Sequence, residues 1–186
     1  MQRSSNVLDI PNLEVKEAFF TQLTAGFVEK GYSYTENSYM QIREALKTGD
    51  LQSILEIIKS IFASIPYQLH VNAEAYYHSI FFSIMNVLGF NIDAEVSVLY
   101  GRIDAVLELQ NNVYVFEFKY ETCPLEADVN DKKKIFEKAL KNGMKQINEK
   151  GYANKYKGSG KTIYQAVFAF LGRDSIEMES SVTFAN

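Results

Sequence analysis

Two runs of residues decide the fold: GRIDAVLEL at positions 101–109 and VYVFEFKY at positions 113–120. Both runs are rich in β-branched and aromatic residues, which favour the pleated, half-buried surface of a β-strand. Asn111 and Asn112 stand between them, and asparagine tolerates the left-handed backbone conformations that a tight turn needs. The pattern therefore predicts a β-hairpin with a two-residue turn.

The predicted hairpin brings charged residues together on one face. A turn at 111–112 sets Asp104 opposite Lys119 and Val106 opposite Glu117. Because side chains alternate between the two faces of a strand, Asp104, Glu117 and Lys119 then share a face. The two carboxylates become diagonal neighbours, about 7–8 Å apart at most between Cα atoms, so both can reach one cation.

Two arrangements would compensate these charges in a strand whose other residues are apolar or aromatic. Ionised groups are costly in such surroundings unless they are paired or bound to metal. A Mg²⁺ ion held by Asp104 and Glu117 is one solution, with water and phosphate oxygens completing its octahedron. A cross-strand salt bridge among Asp104, Glu117 and Lys119 is the other, and spacing alone leaves both open.

Helices are predicted before the hairpin. Apolar residues at helical spacing indicate four of them: one between Pro11 and Gly31, and three at 38–47, 51–64 and 73–88. Asn72 is the predicted N-cap of the fourth helix. We expect residues 1–70 to form a helical N-terminal extension or connector, and residues 71–186 to form the domain that carries the hairpin.

The remaining elements predict an α/β fold. A strand at 92–99 precedes the hairpin, and a lysine-rich helix at 130–150 follows it. A nearly continuous apolar run at 162–171 indicates a buried strand. From the fourth helix onwards, the predicted order is therefore α-β-β-β-α-β.

Charge is unevenly distributed along the chain. The net charge of −4 and the pI near 5.3 argue against a protein that coats nucleic acid generally. Between residues 129 and 161, however, ten lysines stand against three acids. This basic segment is either a surface for polyphosphate or a solvated helix face.

The sequence also argues against a secreted or membrane protein. Cys123 is the only cysteine, so no intrachain disulfide is expected, and the first residues lack the pattern of a secretory signal. The longest apolar stretch, 80–90, is too short and too interrupted to span a bilayer. We therefore expect a cytosolic protein without a membrane partner.

Several motifs together resemble one protein family. GRID at 101–104 and YVFEFK at 114–119 are similar to the D…(E)xK core of the PD-(D/E)XK nuclease superfamily. They resemble more closely the nuclease-like domain that commonly follows a predicted AAA-type ATPase domain in bacterial proteins. EAYYHSIF at 74–81, the helix ending in QINEKGY at 146–152 and IPNLEV at 10–15 resemble further motifs of that domain. The resemblance implies a restriction-endonuclease-like core, with a mixed central sheet flanked by helices.

The resemblance also implies a set of site residues. Asp104 and Glu117 would be metal ligands for Mg²⁺ or Mn²⁺, Lys119 the catalytic lysine, and Glu74 an acid that contacts the metal, often through water. Substrate-binding positions would be Gln146, His78, Arg102 and Tyr152. For His78 a neutral core position, and for Gln146 and Tyr152 helix-surface or packing positions, are equally open.

Three features depart from that family. Ile103 stands where the superfamily has proline, and residues 120–134 form a longer link than usual, which is either a substrate-contacting loop or an insertion. Lys157-Gly158-Ser159-Gly160-Lys161 lacks the spacing of a phosphate-binding loop, so the chain is not expected to hydrolyse ATP.

Three functions remain open at this point. The first is a divalent-metal-dependent nuclease that hydrolyses DNA. The second is a non-catalytic module of the same fold that binds nucleic acid or serves an ATPase domain of a longer parent or related chain. The third is a plain α/β interaction domain with a salt-bridged hairpin. Residue patterns do not determine the oligomeric state, because one fold supports many functions.

Overall fold

The computed structural model describes residues 32–63, 65, 74–87, 90, 92–98, 101–156, 158–172 and 175–184. The helices are α1 (Tyr32–Thr48), α2 (Leu51–Ala63), α3 (Glu74–Val87), α4 (Val129–Lys150) and a short 3₁₀ helix (Tyr152–Tyr156). The strands are β1 (Ile92–Val98), β2 (Gly101–Glu108), β3 (Asn112–Glu121), β4 (Thr162–Leu171) and β5 (Ser175–Phe184). The predicted helix between Pro11 and Gly31 and the predicted cap Asn72 lie outside the described residues.

The strands form one mixed sheet in the order β1-β2-β3-β4-β5. The pairs β1–β2, β2–β3 and β4–β5 are antiparallel, whereas β3 and β4 are parallel. A parallel pair needs a long crossover connection, and α4 provides it. The structure confirms the predicted mixed sheet flanked by helices and the α-β-β-β-α-β order, and it adds β5 after them.

The register of the β2–β3 hairpin differs from the prediction. Val106 pairs with Val115, and the Leu109 N–H donates to the Asn112 carbonyl at 2.8 Å, so the turn lies at residues 110–111. The prediction that Val106 lies opposite Glu117 and Asp104 opposite Lys119 is therefore wrong, by two residues. An even shift keeps every side chain on its original face, so the predicted face survives the error.

The sheet separates two hydrophobic clusters. Tyr114, Phe116 and Phe118 belong to the larger cluster, together with buried residues of α1, α2 and α3. Val113 and Val115, which alternate with them, belong to the smaller cluster, which also contains Ile147 of α4. Because Glu117 follows Val113 and Val115 at the same alternation, it is placed on the α4 face of the sheet.

The first two described helices are bound to the sheet by polar contacts as well as by apolar ones. The Tyr114 hydroxyl donates to the Leu46 carbonyl at 2.5 Å, and the Asn112 amide donates to the Lys47 carbonyl at 3.2 Å. Ile42, Leu46 and Ile54 are fully buried in the cluster that contains Tyr114. Helices α1 and α2 thus share the core of the sheet, while a domain boundary near residue 70 stays a prediction.

Helix α4 lies unusually close to β4. A Cβ atom at Gly143 would come within 2.5 Å of the Val167 Cγ1 atom, so the absent side chain allows this approach. Within the described part of the chain, no helix combines the length and the hydropathy needed to cross a membrane.

Candidate active site

Strands β2 and β3 stop pairing at the position where the predicted charged residues stand. The paired residues run from Glu108–Val113 to Ala105–Phe116. Just beyond, the Phe118 N–H donates to Asp104 Oδ2 at 2.9 Å. In a continued ladder, the Phe118 N–H would donate to a backbone carbonyl of β2. Here the Asp104 carboxylate accepts that hydrogen bond instead, which holds the carboxylate next to β3.

Glu117 is a completely buried carboxylate held by two lysines. Its side chain has 0% exposure, and Oε1 accepts from the Lys119 Nζ at 3.0 Å. The Lys150 Nζ contacts both oxygens, at 3.2 Å from Oε1 and 3.0 Å from Oε2. A buried charge is tolerated when it is paired and hydrogen-bonded in this way. The salt bridge differs from the predicted cross-strand one, because Lys119 is in the same strand and Lys150 comes from α4.

The two lysines differ in access to solvent. The Lys119 side chain is 21% exposed, whereas that of Lys150 is 9% exposed. Lys150 is the last residue of α4, and Gly151 ends the helix in a left-handed conformation with φ 62°. Lys119 can therefore meet a molecule from solvent, while Lys150 is enclosed between helix and sheet.

Glu74, the first residue of α3, adds a third carboxyl group. Burial of this group is the main cause that raises the pKa of Glu74 above its ordinary value. The Lys119 ammonium opposes that rise in pKa, as does the Tyr120 N–H bonded to the carboxyl, while the negative charges of Asp104 and Glu117 add to it. The residue as a whole is exposed, but its carboxyl group interacts with the charges of β2 and β3.

The comparisons with known proteins indicate the family of the chain. Residues 72–180, more than half of the chain, match the family model described as the PD-(D/E)XK nuclease superfamily. The chain belongs to the PD-(D/E)XK nuclease superfamily. It is also 30% identical over 174 residues to an uncharacterized protein from the vnfD 5′ region of Azotobacter chroococcum mcd 1. That alignment covers 90% of this chain and 30% of the relative's length. No solved structure matches the chain.

Nucleases of this superfamily typically use divalent metals, and carboxylate oxygens are the type of group that such metals bind. Among the described residues, Asp104 gives one oxygen to the Phe118 N–H and Glu117 receives three lysine contacts. A carboxylate has about four acceptor positions, so each retains at least one for a hard cation such as Mg²⁺ or Mn²⁺.

A complete ligand set is not preassembled. No group of three or more Asp, Glu, His or Cys side chains is positioned to hold a metal within the described ranges. The metal-ligand roles of Asp104, Glu117 and Glu74 therefore stay predictions. Magnesium keeps several water molecules in its coordination shell, so two carboxylates are a sufficient protein contribution.

His78 lies against aromatic rings on the other side of β3. Its ring centroid is 5.0 Å from that of Phe118 and 6.1 Å from that of Phe82. Its Nε2 atom is buried and has no hydrogen-bond partner among the described residues. Phe118 alternates with Glu117 along β3, so this ring contact is on the opposite face of the sheet from Glu117. The substrate-binding role of His78 stays a prediction.

The other predicted substrate-binding residues lie in or directly after the elements that carry Asp104 and Lys150. Gln146 is half-buried and lies one helical turn before Lys150 in α4. Arg102 is exposed in β2, two residues before Asp104, and Tyr152 begins the 3₁₀ helix after α4. Their roles stay predictions.

Lys150 lies within the QINEKGY motif, but the resemblance assigned a role only to Gln146 and Tyr152. It stands at the end of a helix with many exposed lysines, so residue type alone does not distinguish it. Its spacing does, because Gly143, Ile147 and Lys150 recur at i, i+4 and i+7 and lie on the buried face of α4.

Proposed function

We propose that this chain is a nuclease that hydrolyses phosphodiester bonds of DNA with Mg²⁺ or Mn²⁺. The observation that carries the proposal is the pairing of the buried Glu117 with Lys119, beside Asp104, where β2 and β3 separate. Membership of the superfamily supports a nuclease-type function. Asp104 and Glu117 would hold the cation, and Glu74 would complete the set directly or through water.

In this proposal the cation, Lys119 and the two carboxylates have different roles in the reaction. A divalent cation at this site would lower the pKa of a bound water and withdraw charge from the phosphate. The Lys119 ammonium, partly exposed and held at Glu117 Oε1, would orient the attacking water or stabilise the charge that develops on the phosphate oxygens. Asp104 and Glu117 are held by contacts with the Phe118 N–H and the lysines, so neither needs to reorganise greatly.

The outer face of α4 supports DNA as the substrate. Lys134, Lys138, Lys141 and Lys145 recur at i, i+4, i+7 and i+11, which places them on one side of the helix, and all four are exposed. This lysine stripe, defined by those four residues, lies opposite the buried face that contains Ile147. A row of ammonium groups would bind a phosphate backbone without reading its sequence.

The nuclease proposal is tested by cleavage of plasmid and branched DNA in Mg²⁺ or Mn²⁺, with a chelator as control. We expect Glu117→Gln and Lys119→Met each to reduce single-turnover cleavage by at least about a hundredfold, because each removes transition-state stabilisation. Circular dichroism would verify folding. Glu149→Gln, an exposed acid of α4 paired with Lys145, is the matched control and should cleave normally. Equal cleavage by the site variants, or no cleavage by the parent protein, would refute the proposal.

A second candidate is a non-catalytic module of the same fold. It is favoured by two observations: both Glu117 oxygens already bind lysine, and no three-ligand metal group is found among the described residues. Titration with Mn²⁺ by calorimetry separates the two, because an intact ligand pair binds the ion and a degenerate one does not.

We further propose that an ATPase domain works with this domain, in a longer parent or in a related chain. The resemblance of residues 10–15 to the segment that joins the two domains supports this. So does the length of the Azotobacter relative, since this chain spans about 30% of it. Co-purification of the chain with such an ATPase, tested against the chain without residues 10–15, would check the association.

A further inference from the structure

Lys150 contacts the candidate metal ligand Glu117 more completely than Lys119 does. Its Nζ lies 3.2 Å from Oε1 and 3.0 Å from Oε2, so it spans the carboxylate, whereas Lys119 contacts Oε1. With 9% exposure it is not placed to meet a substrate from solvent. A lysine in this position must act through Glu117.

We propose that Lys150 is a positioning residue, an internal counter-ion that fixes the Glu117 carboxylate before a cation binds and weakens the binding of that cation. The second half of this statement rests on the proposed function, because it concerns the metal. The first half does not depend on it.

Counting formal charges explains why Lys150 would oppose a metal ion. Glu74, Asp104 and Glu117 contribute three negative charges, and Lys119 and Lys150 contribute two positive ones. Without Lys150 the cluster would carry a formal charge of −2, which equals the charge that one divalent cation neutralises. The Lys150 ammonium and a cation bound to the same Glu117 carboxylate would repel each other strongly, because the effective dielectric constant at a buried site is low.

The end of α4 holds Lys150 at this place. Asp128 caps the start of the helix, and the Gly151 N–H bonds to the Asn148 carbonyl at 3.1 Å at its end. The C-terminus of a helix also favours a cation, since its last carbonyl groups carry partial negative charge. The end of α4 thus positions the Lys150 ammonium at Glu117, and this position does not require a bound metal.

The counter-ion role is tested in the absence of metal. In a chelator we expect Lys150→Met to lower the melting temperature by roughly 10 °C, because it leaves a buried carboxylate with less compensation. Adding Glu117→Gln to that variant should restore most of the loss, and Lys150→Arg should retain the parent stability. The control is Lys145→Met, which removes an exposed ion pair of the same helix and should change little.

A variant that does not fold still gives a result. If Lys150→Met is unfolded in chelator and the double variant with Glu117→Gln is folded, the role is supported. A loss of stability that Glu117→Gln does not relieve would overturn it, because Lys150 would then contribute only packing.

The effect on the cation is tested by calorimetry with Mn²⁺. We expect Lys150→Met to bind Mn²⁺ at least about tenfold more tightly than the parent chain, and Lys150→Arg to bind it as the parent does. Unchanged or weaker binding by Lys150→Met would overturn this part of the inference and leave the nuclease proposal intact. If neither protein binds Mn²⁺, the nuclease proposal and this second half fail together, while the metal-free experiment still decides the counter-ion role.

Discussion

The Asp104 carboxylate has one observed role, as a hydrogen-bond acceptor, and one proposed role, as a metal ligand. Its Oδ2 atom accepts the Phe118 N–H at 2.9 Å, which holds β3 beside the end of the paired region, and its charge faces the site that Glu74 and Glu117 share. The hydrogen bond needs only an oxygen acceptor, which can be charged or neutral. Metal binding needs the negative charge.

Two substitutions of Asp104 should separate these two roles. Asp104→Asn keeps an acceptor for the Phe118 N–H, so we expect stability close to that of the parent chain together with loss of Mn²⁺ binding. Asp104→Ala removes the acceptor as well and should cost about 1 kcal/mol more in the free energy of unfolding, because a partly buried N–H loses its partner. Urea unfolding and calorimetry measure the two effects. Equal stability of both variants would show that the hydrogen bond contributes nothing.

The grouping of Asp104, Glu117 and Lys119 could be predicted from the sequence, whereas their hydrogen-bond partners could not. GRID and FEFK mark Asp104, Glu117 and Lys119, and alternation along strands places the last two on one face. No role was predicted for Lys150, because the burial of one lysine among many is a tertiary effect. It depends on how closely α4 packs on β3. The length of its side chain then determines which carboxylate it reaches.

At the scale of elements, strand positions were more predictable than strand pairing. β4 has the predicted limits, but two adjacent asparagines did not reveal that the turn uses Gln110 and Asn111. β5 was missed, although Ile176, Met178, Val182 and Phe184 alternate with polar residues after residue 171. Such alternation is typical of a half-buried strand, but Ser180 interrupts it, and of these four apolar residues only Ile176 is buried.

The approach of α4 to β4 is the contact that sets where Lys150 lies. We expect Gly143→Ala to destabilise the protein by about 1 kcal/mol or more, because overlap with Val167 outweighs the better helix propensity of alanine. It should also weaken the melting-temperature difference between the parent chain and its Lys150→Met form, as the helix moves outward. Val167→Ala, which removes the obstructing methyl groups, should make the same Gly143→Ala change less costly. Thermal unfolding of the parent chain, the Gly143→Ala variant, the Val167→Ala variant and their double variant measures this coupling.

The uneven charge of the whole molecule allows the proposed DNA binding to be tested apart from the proposed catalysis. An acidic protein with one basic helix face should bind DNA through that face and repel it elsewhere. We expect the affinity of the Glu117→Gln variant for duplex DNA to fall steeply between 50 and 200 mM salt, as measured by fluorescence anisotropy. Affinities for DNA are usually compared over salt concentrations of about this order, because counterion release makes them depend on salt.

Replacing the four lysines of the lysine stripe with glutamine should reduce the slope of log K against log salt by about 3 to 4, if each contacts a phosphate. Lys47→Gln with Lys59→Gln is the control, since those lysines pair with Glu44 and Glu56 on α1 and α2. An unchanged slope in the stripe variant would mean that α4 is only solvated. A reduced slope in the control would mean that the field of the whole surface, and not one face, attracts DNA.

The hydroxyl of Tyr114, bonded to the Leu46 carbonyl, has a consequence for how the protein can be shortened. A chain started at residue 71 would lose α1 and α2 and uncover the rings of Tyr114 and Tyr164, which are stacked 4.8 Å apart. Such an aromatic area attracts a second molecule, so light scattering should report self-association of the shortened chain at concentrations where the parent stays dispersed. Helices α1 and α2, which contribute no described carboxylate or ammonium to the candidate site, would then prove necessary for preventing self-association.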